Sequence, residues 1–261
     1  MKVTALNLYP VKSMGAIVVD HAQVGMQGFV GDREWLVADM SGRFITAREV
    51  ESLLLWQPEL TDTGLRLRAP NGRACVVHRA DYQELANVIV WKDQFQAYSG
   101  PAETDAWLSD QMGMPCRLFY VGAAPHRTLA ANGGGTLSFA DGAPYLLTSE
   151  VSLNALNQAL QSPVSMRRFR ANIVVDGLEP YAEDKWKDVQ IGGVLLTGFK
   201  PCGRCKIVNL DPGTAQLSPE KEPLKTLAKT HQLAQGACFG MNFYARSVGR
   251  IQVGDHVQLQ T

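Results

Sequence analysis

Hydrophobic and polar positions alternate through most of the first hundred residues, and this period of two predicts strands. "VTALNLYPVKS" alternates until Pro10, which ends the strand or holds it at a sheet edge. "REWLVAD" and "RFITARE" are short runs joined by "MSG", a hairpin signal. "GLRLRAP" and "RACVVHR" flank Asn71-Gly72, two residues that reach positive φ easily, and predict another hairpin. Helical periods are scarce in this stretch, so it reads as a β-rich unit, a small barrel or sandwich.

The first helix opens at Pro101, whose missing N–H is not needed in a first turn, and stops at Gly113. Glu103 and Asp105 lie early, where negative charge complements the helix dipole. "MPCRLFYVG" follows as a strand. "PHRTLAANGGGTLSFADGAP" is rich in Gly, Ala and small polar residues and reads as a mobile loop, a linker or lid. Its Asn132-Gly133-Gly134-Gly135 run is expected to shape a substrate entrance. "TSEVSLNALNQALQS" predicts a second helix, capped by Thr148 or Ser149, with Leu153, Leu156 and Leu160 on one face. "RANIVVDG" and "VQIGGVLLTGF" read as strands. "EPLKTLAKTHQL" reads as a third helix opened by Pro223, with His231 on its apolar face. "GRIQVGDHVQLQ" closes the chain as one alternating strand. The pattern describes a β-rich first half and a mixed, mainly β second half.

Composition narrows the class. A chain of 261 residues suffices for one large domain or two modest ones. With 46% hydrophobic and 19% charged residues it is globular and not disordered. Lys plus Arg equals Asp plus Glu at 25 each, so no global field draws it to nucleic acid or a membrane, and any anion site must be local. The start lacks the apolar run of a signal peptide, and no run of 18 apolar residues predicts a membrane span. The five cysteines, an odd number at irregular spacing, predict free thiols in a reducing cytoplasm.

"FKPCGRCKIVNLDP" holds the most chemistry, with Cys202 and Cys205 around Gly203 and Arg204. A structural zinc site needs four ligands, and no second CxxC supplies them. A thioredoxin-like dithiol normally opens a helix, whereas the β-branched "KIV" predicts a strand here. A single thiolate ligand to a soft metal centre suits the crowding of Lys200, Arg204 and Lys206, since positive charge favours an anionic sulfur. Plain packing of two buried cysteines is the fourth reading. Other polar groups are dispersed: Lys12-Ser13 after Pro10, Arg33 in "GDREW", Thr148-Ser149 opening a helix, Arg170 and Asn172 in "MRRFRANIV". Singly, each is ordinary surface or cap, and spacing does not show that they meet.

Together, "LYPVKSMG", "GDREWLV", "LLTSEVSLNALN", "FRANIVVDG", "YAEDKW", "PCGRCKIVNLDPGTA", "KEPLKTLAKTHQ", "FGMNFYA" and "GRIQVGDHVQL" are in the order seen in the MOSC family. The chain resembles its two-part members, the group that includes the mitochondrial amidoxime-reducing component and bacterial relatives without a ferredoxin domain. The resemblance implies a mainly β fold with some α, an N-terminal β-barrel domain over 1–98 and a MOSC mixed β-barrel domain over 99–261. It implies a molybdenum cofactor, with Cys205 matching the metal ligand and Gly203 and Arg204 matching its neighbours at the cofactor. Cys202 matches a position that is commonly cysteine without being the ligand. Lys12, Ser13 and Arg33 match residues that anchor the cofactor from the N-terminal side, and Thr148, Ser149, Arg170 and Asn172 match positions lining its other side. Lys, Arg, hydroxyls and helix N–H groups are the usual partners of a phosphate, and Asn can meet an amide-like pterin edge. Ala171 departs from the proline often found there, a change expected to alter stiffness more than chemistry. The implied activity is reduction of N-hydroxylated small molecules, with sulfur transfer through a persulfide and cofactor carriage as alternatives. The plant-type ferredoxin spacing C-x4-C-x2-C is absent from the cysteines, so electrons are expected from a separate flavin or iron–sulfur partner.

Overall fold

The computed structural model describes residues 1–122, 127–129 and 135–260. Among the described residues strands dominate, with three α-helices, Ala102–Met112, Glu150–Gln158 and Leu224–Thr230, so the fold is mainly β with α. Its sheets run as open orders of strands. The chain divides into two compact units that are discontinuous in sequence. One comprises Met1–Leu8, Val18–Val30 and Ala143–Thr261; the other comprises Tyr9–Ile17 and Gly31–Gly142.

In the first unit, a mixed sheet places strands in the order Val3–Leu8, Ile173–Val175, Tyr145–Ser149, Gly236–Ala245, Val194–Gly203, Asp188–Ile191, Val257–Gln260. Tyr145–Ser149 and Ile173–Val175 are parallel, and the helix Glu150–Gln158 lies in the connection between them, as a parallel pair requires. Ser149 caps that helix by accepting a hydrogen bond from the Ser152 N–H. Leu156 seats it against Phe169, Val208, Leu227 and Phe239. The first strand, read correctly from its alternation, belongs with the C-terminal portion because Val3 to Leu6 pair with Val175 to Ile173.

The second unit holds an antiparallel sheet ordered Trp35–Ala38, Arg117–Tyr120, Asp93–Ser99, Glu84–Val90, and a three-stranded sheet of Gln57–Thr61, Gly64–Arg68 and Ala74–His78. Asn71-Gly72 makes the expected hairpin, with Arg68 opposite Ala74. Leu36, Phe44, Val88, Val90, Phe95, Phe119 and Phe139 build the core. The helix Ala102–Met112 begins after Pro101 and ends on Gly113 in the left-handed conformation, as its sequence signals predict.

Four expectations are corrected. "GRIQVGDHVQLQ" is two strands, Gly249–Gln252 and Val257–Gln260, in different sheets, because Gly254 turns the chain at φ 93°. The "KIV" run lies in a single 3-10 turn, Lys206–Asn209, and not in a strand. "RFITARE" forms only isolated bridges, Ala38 with Phe44 and Arg43 with Ile89. Within the stretch read as a loop, Arg127 and Leu137 to Ala140 are buried, and Phe139 joins the core, so composition misjudged these positions. Of the supposed entrance, Asn132, Gly133 and Gly134 lie outside the described residues.

Candidate functional site

The strand Val194–Gly203 carries Cys202 and Gly203 at its end, and Cys205 heads the 3-10 turn that follows. Register forces this arrangement: Gly203 pairs with Cys238 across an irregularity in the ladder. A Cβ on Gly203 would stand 2.6 Å from the backbone oxygen of Gln235, so glycine lets the two segments approach. Arg204 then ties the turn down. Its N–H donates to Ala237 O at 2.7 Å, Nη2 to Phe169 O at 2.7 Å, and Nη1 to Cys202 Sγ at 3.0 Å. Its buried Nε has no hydrogen-bond partner among the described residues. Cys205 is half-buried, and its sulfur makes no hydrogen bond among the described residues. The two cysteines are therefore not equivalent. Cys238 is buried behind them, and burial pushes its thiol up, with the Asp184 carboxylate adding to the shift. No three His, Cys, Asp or Glu side chains gather as a metal cluster among the described residues.

Phe169 O connects this turn to "RRFRAN". Arg170 closes the 3-10 turn Met166–Phe169 in the left-handed conformation, at φ 56°. Ala171 is buried against Leu146 and Val174, and Cys202 packs on the same cluster. Asn172 is buried, and its side chain bridges two strands: Oδ1 accepts from Leu146 N–H at 3.2 Å and Nδ2 donates to Asn7 O at 3.2 Å. Thr148 and Ser149 are fully buried as well. The Thr148 hydroxyl reaches Met166 Sδ at 3.2 Å.

Beneath Ser149 lies a polar cluster that sequence reading missed. Glu183 is fully buried, and burial raises its carboxyl above the usual range. Its Oε2 accepts from Ser152 Oγ at 2.9 Å and Ser149 Oγ at 3.1 Å, and its Oε1 accepts from Ser149 N–H at 3.3 Å. The "YAEDKW" motif contained it, but its burial was not legible. Next to it, Asp184 Oδ2 meets His231 Nε2 at 2.6 Å, and Tyr181 stacks on the His231 ring at 3.8 Å. His231, expected as a core residue on the helix face, is instead the C-cap of Leu224–Thr230.

In the second unit, Lys12, Ser13 and Arg33 lie on one short stretch of paired backbone. Lys12 N–H donates to Trp35 O at 2.9 Å, and Arg33 N–H donates to Tyr9 O at 2.8 Å. Ser13 sits at φ 71° in a turn closed from Met14 N–H to Val11 O, a position where glycine is strain-free. Arg33 is at φ 50°, lies 4.3 Å over the Tyr9 ring and pairs with buried Asp32. Three matched site residues, Ser13, Arg33 and Arg170, thus occupy backbone conformations that side chains normally avoid. Such strain collects where geometry is over-determined, functional sites among them.

Lys12 is buried and donates to Phe139 O at 2.8 Å and to Asp141 Oδ1. Asp141 also accepts from Trp91 Nε1 at 2.9 Å and pairs with Arg48 at 3.7 Å. Arg127, buried nearby, donates from Nε to Asp93 at 2.9 Å and from Nη2 to Asp141 O at 3.0 Å. Neither Asp141 nor Arg127 was signalled by the sequence. Burial lowers Lys12 from 10.5 to about 8, with Asp141 opposing the shift and Arg127 and Arg33 adding to it. The depressed value fixes the sign of a pH effect. Between about 8 and 10.5 the unfolded chain holds the Lys12 proton and the folded protein does not, so this group adds stability as pH rises. Unfolding measured across that window is expected to show wild type gaining on Lys12→Met; a constant difference between the two would refute the buried charge.

The chain matches the family model described as "MOSC N-terminal beta barrel domain" over residues 1–115 and the "MOSC domain" model over residues 134–258. It is 32% identical over 281 residues to "Mitochondrial amidoxime-reducing component 1" of Mus musculus, covering 98% of this chain and 82% of the relative. To the protein of that name in Xenopus laevis it is 30% identical over 278 residues, covering 98% and 81%. It is also 30% identical over 262 residues to "Molybdenum cofactor sulfurase" of Oryza sativa subsp. japonica, covering 91% of this chain and 32% of that protein. The chain therefore spans about a third of the length of that sulfurase.

Proposed function

Since the chain belongs to the MOSC family, with the N-terminal β-barrel domain preceding the MOSC domain, we propose that it holds a molybdenum cofactor and reduces N-hydroxylated small molecules with electrons from a separate flavin or iron–sulfur protein. The observation that carries this reading is the asymmetry of the Cys202–Cys205 turn. Arg204 engages the Cys202 sulfur, while the Cys205 sulfur is half-buried and has no hydrogen bond among the described residues, which leaves it open to take a metal. The donor set fits the group. A soft sulfur suits molybdenum, and the buried unpartnered Nε of Arg204 is a donor in want of an acceptor.

When bound, the cofactor supplies the two-electron centre that takes oxygen from the substrate. The chain supplies binding, orientation and charge. Cys205 would ligate the metal, with Gly203 and Arg204 shaping the turn around it. By family resemblance, Lys12, Ser13 and Arg33 are the residues proposed for the cofactor's anionic and polar groups, and Thr148, Ser149, Arg170 and Asn172 those proposed to line it. For Thr148, Ser149 and Asn172 the side chains are buried and hydrogen-bonded within the protein, which suits a role in shaping the backbone at the site more than direct contact. No helix among the described residues is long and apolar enough to cross a membrane.

A second reading has its own support. An uncommitted cysteine is also what a persulfide carrier requires, and one group of relatives is named for sulfuration of the cofactor. The reductase is tested by conversion of benzamidoxime to benzamidine by metal-loaded protein with a reduced viologen dye. Turnover by loaded protein supports the reductase. Loaded protein that leaves benzamidoxime intact under every reductant is a cofactor carrier, whereas cyanide-labile sulfur on Cys205 in protein without molybdenum marks the persulfide carrier.

A further inference from the structure

Trp91 is out of place by every local rule. It and Lys92 form the two-residue tip between Glu84–Val90 and Asp93–Ser99, where Val90 pairs with Asp93. Such tips favour Gly or Asn because the backbone must reach positive φ. Trp91 holds φ 58° and is 47% exposed, so neither backbone ease nor burial explains it. Other side chains nevertheless lock it. Arg48 lies 4.5 Å over its ring, Phe44 meets it edge-on at 5.1 Å, and Asp141 accepts its Nε1–H at 2.9 Å. A large aromatic surface fixed at a strained position and left exposed is a prepared platform.

A cavity of about 570 Å³ opens beside it, lined by Arg43, Phe44, Arg48, Trp91 and Lys92 among others. Its lining is positive in excess: Arg43, Arg48 and Lys92 stand against Glu49. Arg43 pairs with Glu49 and Arg48 with Asp141, while Lys92 is exposed. Asp141 bonds both Trp91 and Lys12, so the platform is directly tied to the lysine assigned above to the cofactor.

We propose that this cavity is the substrate-recognition subsite and that it takes a planar conjugated ring bearing a carboxylate or a phosphate. The proposal rests on the reductase reading for its purpose. The ring stacks on the open surface of the indole, where an aromatic contact is tolerant of ring identity. The anionic group meets Lys92 and the guanidinium groups of Arg43 and Arg48. The favoured substrates are then N-hydroxylated compounds that are both flat and negatively charged.

Calorimetric titration of the full chain with benzoate and with AMP tests the binding and distinguishes the carboxylate from the phosphate source. Benzamide and inorganic phosphate serve as the ring-only and anion-only probes. At least one of the two charged ring compounds is expected to bind about tenfold tighter than either half-probe, the size of one stacking contact. Trp91→Gly, which relieves the left-handed strain and so keeps the fold, is expected to weaken that binding about tenfold with its unfolding temperature retained. Lys92→Gln is expected to erase the preference for benzoate over benzamide. The kinetic arm compares kcat/KM for 4-carboxybenzamidoxime with that for benzamidoxime, and the ratio should fall in Lys92→Gln. Equal binding of benzoate and AMP by wild type and Trp91→Gly, or none by wild type, overturns the subsite. Protein that binds the charged rings but reduces neither amidoxime keeps the subsite and overturns the reductase reading alone.

Discussion

Cys205→Ala is expected to yield folded protein without molybdenum, and Cys202→Ala folded protein that keeps it. Both variants are made in a host with an intact cofactor pathway and read by metal and pterin analysis. The difference follows from the turn itself. The Cys202 sulfur already accepts from Arg204 at 3.0 Å and packs against Ala171 and Leu146, so its removal deletes a local contact. The Cys205 sulfur has no such partner among the described residues, and alanine there leaves no soft donor in its place. Neither cysteine is fully buried, so the cavity cost is small and folding should survive both changes. Equal loss of metal from both variants would instead indicate a site that uses the cysteines as a pair. Cyanide-labile sulfur lost only in Cys205→Ala, in protein without molybdenum, would favour the persulfide carrier.

Glu183→Ala is expected to cost about 2–4 kcal/mol, because it removes the acceptor of two buried hydroxyls, only one of which can then donate to the other, and leaves a polar cavity. Thermal unfolding should show this as a fall of about 5–12 °C. Ser149 and Ser152 both donate to Glu183, and Ser149 caps the helix Glu150–Gln158, so the damage should be felt at the start of that helix. Glu183→Gln separates shape from charge. Burial raises the Glu183 carboxyl, so the folded state retains its proton where the unfolded state has lost it. Its contribution is therefore full below the ordinary value of 4.5 and is lost as pH rises through the raised one. Wild type should lose ground to Glu183→Gln across that rise, while the deficit of Glu183→Ala persists at every pH. A Glu183→Gln difference independent of pH would show that the carboxyl is ionised at no cost.

Local signals were read well wherever one short stretch controls its own backbone. Asn71-Gly72 made its hairpin, Pro101 and Gly113 bounded their helix, and Ser149 capped the next one. The MOSC motifs were legible as a family resemblance because nine of them fall in order along one chain. Arg127 and Phe139 were misread, since small and polar neighbours disguised two buried positions. The closing alternation was misread because a period of two continues across a turn as readily as along a strand.

By itself, then, the sequence determined the β-rich class, the bounds of the helix Ala102–Met112 and the cysteine pair, all of which depend on neighbours a few residues apart. Tertiary structure alone decided that Val3–Leu8 pairs with Ile173–Val175, and that Glu183 underlies Ser149. It also decided that Asp141 gathers Lys12, Arg48 and Trp91, and that Arg204 bonds the Cys202 sulfur. Each of these last outcomes turns on burial or on partners distant in the chain, and neither is written in local spacing.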